Sequence, residues 1–129
     1  IIQLRKKREC GELIQAKRCG IDIKRCPSFP KGEPCSSPCP MLKEIRDILE
    51  KNETDLLVVD ETMEALRVGC FTAEEAAELV KAKPEGMELV MTGRNVPQEL
   101  MELADLVTSM EPIKHYYKDG VEAREGIEY

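Results

Sequence analysis

The sequence predicts an α/β domain with an open, mostly parallel sheet. Two continuous apolar runs, Leu56-Leu-Val-Val59 and the stretch around Leu89-Val-Met91, each stop at a polar cluster, as strands buried on both faces of a parallel sheet do. Stretches of helical periodicity separate them, and the connections are too long for hairpins. The 129 residues suit a single α/β domain. Aromatics make up only 4% of the chain and there is no Trp, so the core has to be Leu, Ile, Val, Ala and Met. Met63, Met87, Met91, Met101 and Met110 are expected as core filler.

Taken in order, Ile1-Ile-Gln-Leu4 reads as the end of a buried strand, and residues 10–18 as a helix with Leu13, Ile14 and Ala16 partly buried. Gly20 breaks that helix, and the alternation Ile21-Asp-Ile23 predicts a strand over 20–25. Residues 26–40 hold Pro27, Pro30, Pro34, Pro38 and Pro40 with Gly32 and three Cys, which no helix or central strand tolerates. They form a Cys/Pro-rich loop of about fifteen residues, near the length at which loops carry function or disorder.

Met41, Leu42, Ile45, Ile48 and Leu49 make one helical stripe over 41–51. A strand over 55–60 follows, then a short helix over 62–68 stopped by Gly69. Thr72-Ala-Glu-Glu75 has the form of a capping box and opens a helix that Pro84 ends. Residues 88–91 are the second buried strand. Pro97 suits the first turn of a helix that buries Leu100, Met101, Leu103 and Ala104. Residues 106–110 read as a further short strand, and from Pro112 the chain is polar and irregular.

The net charge of -6 gives no basic face for a nucleic-acid backbone, so no nucleic acid is expected. No stretch approaches the ~20 apolar residues of a membrane span. The chain opens apolar and then runs into Arg5-Lys-Lys-Arg8, the reverse of a signal peptide. A cytoplasmic location and reduced thiols follow as expectations.

In parallel sheets, ligands bind beyond the carboxy ends of the strands. Two polar clusters fall there, Asp60-Glu61 and Thr92-Gly-Arg-Asn95. An acid at a strand end suits Mg²⁺ or a water beside phosphates, as in a Walker B element; a plain strand ending in solvent acids is the alternative. Arg94, on a loop opened by Gly93, suits a forked grip on phosphate, or else a surface ion pair with a helix acid.

The runs Asp55-Leu-Leu-Val-Val-Asp-Glu61, Lys83-Pro84, Val90-Met-Thr-Gly-Arg-Asn-Val-Pro97, Glu99-Leu-Met-Glu-Leu-Ala-Asp-Leu-Val-Thr108, Ile113-Lys-His115 and Gly126-Ile-Glu-Tyr129 resemble the P-loop type of ATP:cob(I)alamin adenosyltransferases, which also act on cobyrinic acid a,c-diamide. The resemblance is close over 55–129 and loose over 1–25. It implies a RecA-like P-loop NTPase fold, of which this chain carries the carboxy-terminal two-thirds, and a homodimer. The implied reaction moves the 5′-deoxyadenosyl group of ATP onto cobalt(I) of a reduced corrinoid. Glu61, with Asp60 beside it, is the implied Mg²⁺ site. Arg94 and Glu61 are the implied catalytic residues, and Thr92, Gly93, Arg94 and Asn95 the implied ATP-binding loop.

The family pattern also has a Gly-rich phosphate loop ending Gly-Lys-Thr, and no G-x-x-x-x-G-K-[ST] occurs in these 129 residues. The 129-residue chain is therefore expected to be inactive by itself, lacking the first strand and phosphate loop. The family places aromatic residues, including a Trp, in the loop that corresponds to 26–40. Here Phe29 is the aromatic available to a corrinoid.

Other readings stay open. A non-catalytic RecA-like remnant would act through protein contacts. Cys26, Cys35 and Cys39, with Cys10 or Cys19, could bind Zn²⁺ or an Fe–S cluster, although no C-x2-C pair is present and free cysteines are the plainer reading. His115, the one histidine, reads as a hydrogen-bonded structural group. The Arg5 to Arg8 run reads as a solvated strand exit, or as a contact for phosphate.

Overall fold

The computed structural model describes residues 1–6, 11–26 and 38–124. Phe29, Cys10, Cys35, most of the 26–40 loop and the Gly126-Ile-Glu-Tyr129 end lie outside the described residues.

Each of the first three strands begins a helical crossover that returns to the same sheet. β1 (Ile2–Gln3) leads through α1 (Gly11–Arg18) to β2 (Lys24–Arg25). α2 (Pro40–Lys51) then crosses to β3 (Leu56–Asp60). α3 (Thr62–Arg67) and α4 (Ala73–Ala82) lead to β4 (Glu88–Met91), and α5 (Gln98–Leu103) follows. A 3₁₀ turn over Tyr116–Asp119 lies in the polar tail. The sheet order is β2-β1-β3-β4 and every pairing is parallel. This is the open α/β sheet expected, consistent with a RecA-like domain.

Local chemistry sets the element ends. Pro40, read from sequence as the last loop residue, is the first residue of α2, where its missing N–H costs nothing. α2 stops at Asn52, in the left-handed conformation, whose N–H donates to the Ile48 carbonyl. The capping box is formed as expected: the Glu75 N–H donates to the Thr72 hydroxyl at 3.1 Å, and the Thr72 N–H to the Glu75 carboxylate at 2.9 Å.

The core lies on one face of the sheet. Register pairs Ile2 with Val59, Leu57 with Leu89 and Val59 with Met91, so these side chains share a face. Leu42, Ile45 and Leu49 of α2 and Ala76 and Leu79 of α4 pack in the same cluster. α2 packs on α4, and α4 on α5. Ile45, Leu79 and Val59 are fully buried, which stabilises the fold by roughly 1.5–3 kcal/mol each relative to exposure.

The expectation that β3 and β4 are buried on both faces is corrected. Leu56 is 53% exposed and Val90 43%, while Leu57 and Val59 are buried. A run of apolar residues has no period, so it cannot report which of its side chains are left open to solvent. The strand expected over 106–110 is also absent: Leu106 and Met110 are exposed, and these residues make no backbone hydrogen bond among the described residues. A strand exists through its ladder, and β4 pairs only with β3 among the described residues. The expected 20–25 strand shrinks to Lys24–Arg25 for the same reason: only those two residues pair with β1.

Smaller corrections follow from the open face and short helices. Ile14 is 55% exposed, leaving Ala16 the buried residue of α1. α5 buries Leu100, half-buries Met101 and Leu103, and leaves Ala104 exposed. Met63 and Met87 fill the core, Met91 and Met101 are half-buried, and Met110 lies in solvent. Among the described residues, no helix is long and apolar enough to cross a membrane.

Candidate functional site at the carboxy edge of the sheet

Because β3 and β4 run parallel with Val59 opposite Met91, their ends bring Asp60-Glu61 and Thr92-Gly-Arg-Asn95 to one edge. The two ends are tied together. Thr92 donates its backbone N–H to the Val59 carbonyl at 3.1 Å, and its own carbonyl accepts the Met63 N–H at 3.4 Å. The Thr92 hydroxyl donates to Asp60 Oδ1 at 2.7 Å and accepts the Glu61 N–H at 3.1 Å. Thr62, fully buried, donates its hydroxyl to the Val59 carbonyl at 2.8 Å and closes the same turn.

Gly93 is required by this docking. Its φ is +143°, and a Cβ there would stand 2.6 Å from the Met63 Cβ. Only a residue with no side chain lets the loop approach the start of α3 so closely. The expected ligand-binding loop thus divides in two. Thr92 and Gly93 engage the β3–α3 turn, while Arg94 and Asn95 project beyond it, both exposed. Arg94 has no hydrogen bond or ion pair among the described residues, so the helix-acid partner of its alternative reading is not found among them.

The two acids differ in the same way. Asp60 is half-buried and has protein partners at both carboxylate oxygens: Oδ1 accepts from Thr92, and Oδ2 accepts from Gln3 Nε2 at 3.3 Å and lies 3.8 Å from Lys6 Nζ. Gln3 Nε2 also donates to Glu12 at 3.1 Å, and Glu12 pairs with Lys6. Glu61 sits in the left-handed region at φ 60° and ψ 30°, and its carboxylate has no side-chain partner among the described residues. For a non-Gly residue that conformation is uncommon and persists where surrounding contacts hold it.

Gln3 and Lys6 were not picked out from sequence as partners of Asp60. A signal existed: a Gln inside the apolar run Ile1-Ile-Gln-Leu4, only 3% exposed in the fold, has to find polar partners. Of the basic run, Arg5 reaches Cys70 Sγ at 3.9 Å, and Arg25 donates to the Lys6 carbonyl at 2.7 Å. Lys7 and Arg8 lie outside the described residues. His115 lies far along the tail, where its Nδ1 accepts the Tyr117 N–H at 3.1 Å, a local turn cap. No cluster of three or more metal-ligating side chains occurs among the described residues.

The opposite edge carries an open depression of about 270 Å³ at the amino ends of the strands, lined by Ile2, Lys24, Glu44, Lys51 and Leu56. Lys24 pairs there with Glu44, which raises the Lys24 pKa. It lies away from the edge where ligands of parallel sheets bind.

Residues 1–129 match the family model described as ATP:corrinoid adenosyltransferase BtuR/CobO/CobP. The chain belongs to the ATP:corrinoid adenosyltransferase family. Over 88 residues it is 34% identical to a corrinoid adenosyltransferase from Sinorhizobium sp, covering 67% of this chain and 41% of that protein. It is 32% identical over 87 residues to the corrinoid adenosyltransferase of Pseudomonas aeruginosa, covering 67% and 43%. Against the corrinoid adenosyltransferase CobA of Salmonella typhimurium the identity is 32% over 75 residues, covering 58% and 38%. The chain spans about two-fifths of the length of the relatives it matches.

Proposed function

We propose that this domain serves the transfer of 5′-deoxyadenosyl from ATP to cobalt(I) of a corrinoid, with the carboxy edge of the sheet facing the triphosphate. The observation that carries the reading is the pairing, at that edge of a family member, of two groups with no side-chain partner among the described residues: the Glu61 carboxylate and the Arg94 guanidinium.

In the proposed reaction, cobalt(I) attacks C5′ of ATP, the C5′–O bond breaks, and triphosphate leaves with the bonding pair. The corrinoid supplies the nucleophile. The protein's share is alignment, water exclusion and charge stabilisation on the leaving group. Arg94 and Asn95 would hold phosphate oxygens, the fork of Arg94 giving two parallel bonds. Thr92 and Gly93 would present that pair.

The donor set suits Mg²⁺. It is all carboxylate oxygen, and it offers one accessible acid with a second beside it, so that substrate phosphates and water would complete the shell. Glu61 would hold the ion and Asp60 would back it; Mg²⁺ would supply charge neutralisation on the triphosphate. Phe29 is proposed to stack on the corrinoid. A cytoplasmic homodimer is proposed as the working form, and the exposed Leu106, Met110 and Ile113 offer apolar surface for association.

The 129 residues contain no Gly-Lys-Thr phosphate loop. Loss of two charge-assisted contacts of roughly 1.5–3 kcal/mol each leaves ATP at least ~100-fold weaker. A cobalt–carbon bond assay with MgATP and reduced corrinoid tests this. A longer version carrying a phosphate loop should turn over, and the 129-residue chain should not. In that longer version Arg94→Ala should cost roughly 1.5–3 kcal/mol in kcat/KM for ATP, and Arg94→Lys should recover only part of it. Unchanged kinetics in Arg94→Ala would remove Arg94 from the site.

A further inference from the structure

We propose that Thr92 is a positioning residue whose hydroxyl, shared between the Glu61 amide and the Asp60 carboxylate, sets the aim of the acid pair. The inference rests on the cation reading of Glu61 only for its functional consequence; the hold itself is a matter of geometry.

The hydroxyl has one proton to give and lone pairs to receive with. Both capacities are used on β3, at 2.7 Å to Asp60 Oδ1 and 3.1 Å from the Glu61 N–H. Thr92 therefore has its hydroxyl committed to the acids. Glu61, at φ 60°, occupies a conformation that a non-Gly residue holds only when its surroundings enforce it. The Thr92 contact fixes its N–H, and the Thr92 carbonyl fixes the Met63 N–H two residues on. The Glu61 main chain is thus gripped from β4 at its own N–H and just after it.

Asp60 is gripped from two strands. Thr92 of the β4 end holds Oδ1, and Gln3 of β1 holds Oδ2. A carboxylate with both oxygens engaged cannot turn to become a direct ligand without losing a bond. The arrangement separates the two acids: Asp60 is a fixed negative charge built into the sheet, and Glu61 is the one presented. Thr62 lies in the same turn, but its hydroxyl reaches the Val59 carbonyl and leaves the acids alone. Among the described residues, the acid pair's side-chain link to the Arg94 loop is Thr92.

Thr92→Val keeps shape and removes the hydroxyl, while Thr92→Ser keeps the hydroxyl. The experiment uses the 129-residue chain, Mn²⁺ as the probe ion read by electron paramagnetic resonance, and NMR of the Glu61 amide for hydrogen exchange and HN–Hα coupling. The thermal midpoint is recorded for each variant, and binding is measured well below it. In Thr92→Val, Mn²⁺ binding should weaken roughly tenfold, the worth of one well-placed hydrogen bond. The Glu61 amide should lose protection and its coupling should move from the left-handed value. Thr92→Ser should restore all three readouts. A merely structural role would lower the midpoint and leave ion affinity intact in the folded variant, which would overturn the proposal. So would a protected Glu61 amide in Thr92→Val. If the wild-type chain binds no Mn²⁺, the cation reading fails. The positioning role then stands or falls on the Glu61 amide: lost in Val and kept in Ser upholds it, kept in both overturns it.

Discussion

Gly93 shows how much of the edge depends on single residues. Its positive φ and the 2.6 Å approach of a would-be Cβ to Met63 act together. Gly93→Ala should therefore cost at least the roughly 1–3 kcal/mol of a strained backbone position, with steric displacement of α3 added. Urea unfolding of the variant measures this. A change below about 0.5 kcal/mol, the size of an ordinary surface substitution, would mean the loop relaxes freely. From sequence, Gly93 was legible as a loop opener at a strand end, and Arg94 as a cation beyond it. What sequence could not give was the division of labour inside Thr92-Gly-Arg-Asn95. That depends on β4 pairing with β3 in one register, which carries the Thr92 hydroxyl to Asp60 across 32 positions of chain. The same holds for Gln3, whose partner Asp60 is 57 positions away.

Elements with local causes were read well. The stripe of α2, the capping box of α4 and the Gly69 stop after α3 are set within a few residues of where they act. Thr72→Ala should lower unfolding free energy by about 0.5–2 kcal/mol, the usual worth of an N-cap. The effect should depend on pH. Hydrogen bonds from its own backbone N–H and then from the Thr72 hydroxyl hold the Glu74 carboxyl below its ordinary range. A folded pKa below the unfolded one stabilises the fold above the ordinary range, and that share is lost as pH falls through the folded value. The gap between wild type and Thr72→Ala should thus narrow as pH drops below about 4. A gap that widens on acidification would contradict the assignment. Elements whose existence depends on a neighbour were read less well. Residues 106–110 have the composition of a strand but no ladder among the described residues, and β3 and β4 look doubly buried in sequence but present Leu56 and Val90 to solvent.

At the scale of the molecule, the parallel order β2-β1-β3-β4 does two things. It gathers the core on the α2–α4 face, and it stacks the carboxy ends of β1, β3 and β4 so that Gln3, Asp60 and Thr92 meet. The fold class was legible because alternating strands and helices leave few other solutions. The family was legible because the run Thr92-Gly-Arg-Asn-Val-Pro97 is followed by Glu99-Leu-Met-Glu-Leu-Ala-Asp105, a pattern far more specific than an acidic strand end. In the proposed function, triphosphate is met at this edge and not at the depression at the amino ends. Titration of the ¹⁵N-labelled 129-residue chain with MgATP, followed by NMR, tests it most directly. Binding should be weak, above the micromolar range, with shifts concentrated at Glu61, Arg94 and Asn95. Shifts concentrated at Lys24, Lys51 and Leu56, or micromolar binding without a phosphate loop, would contradict it.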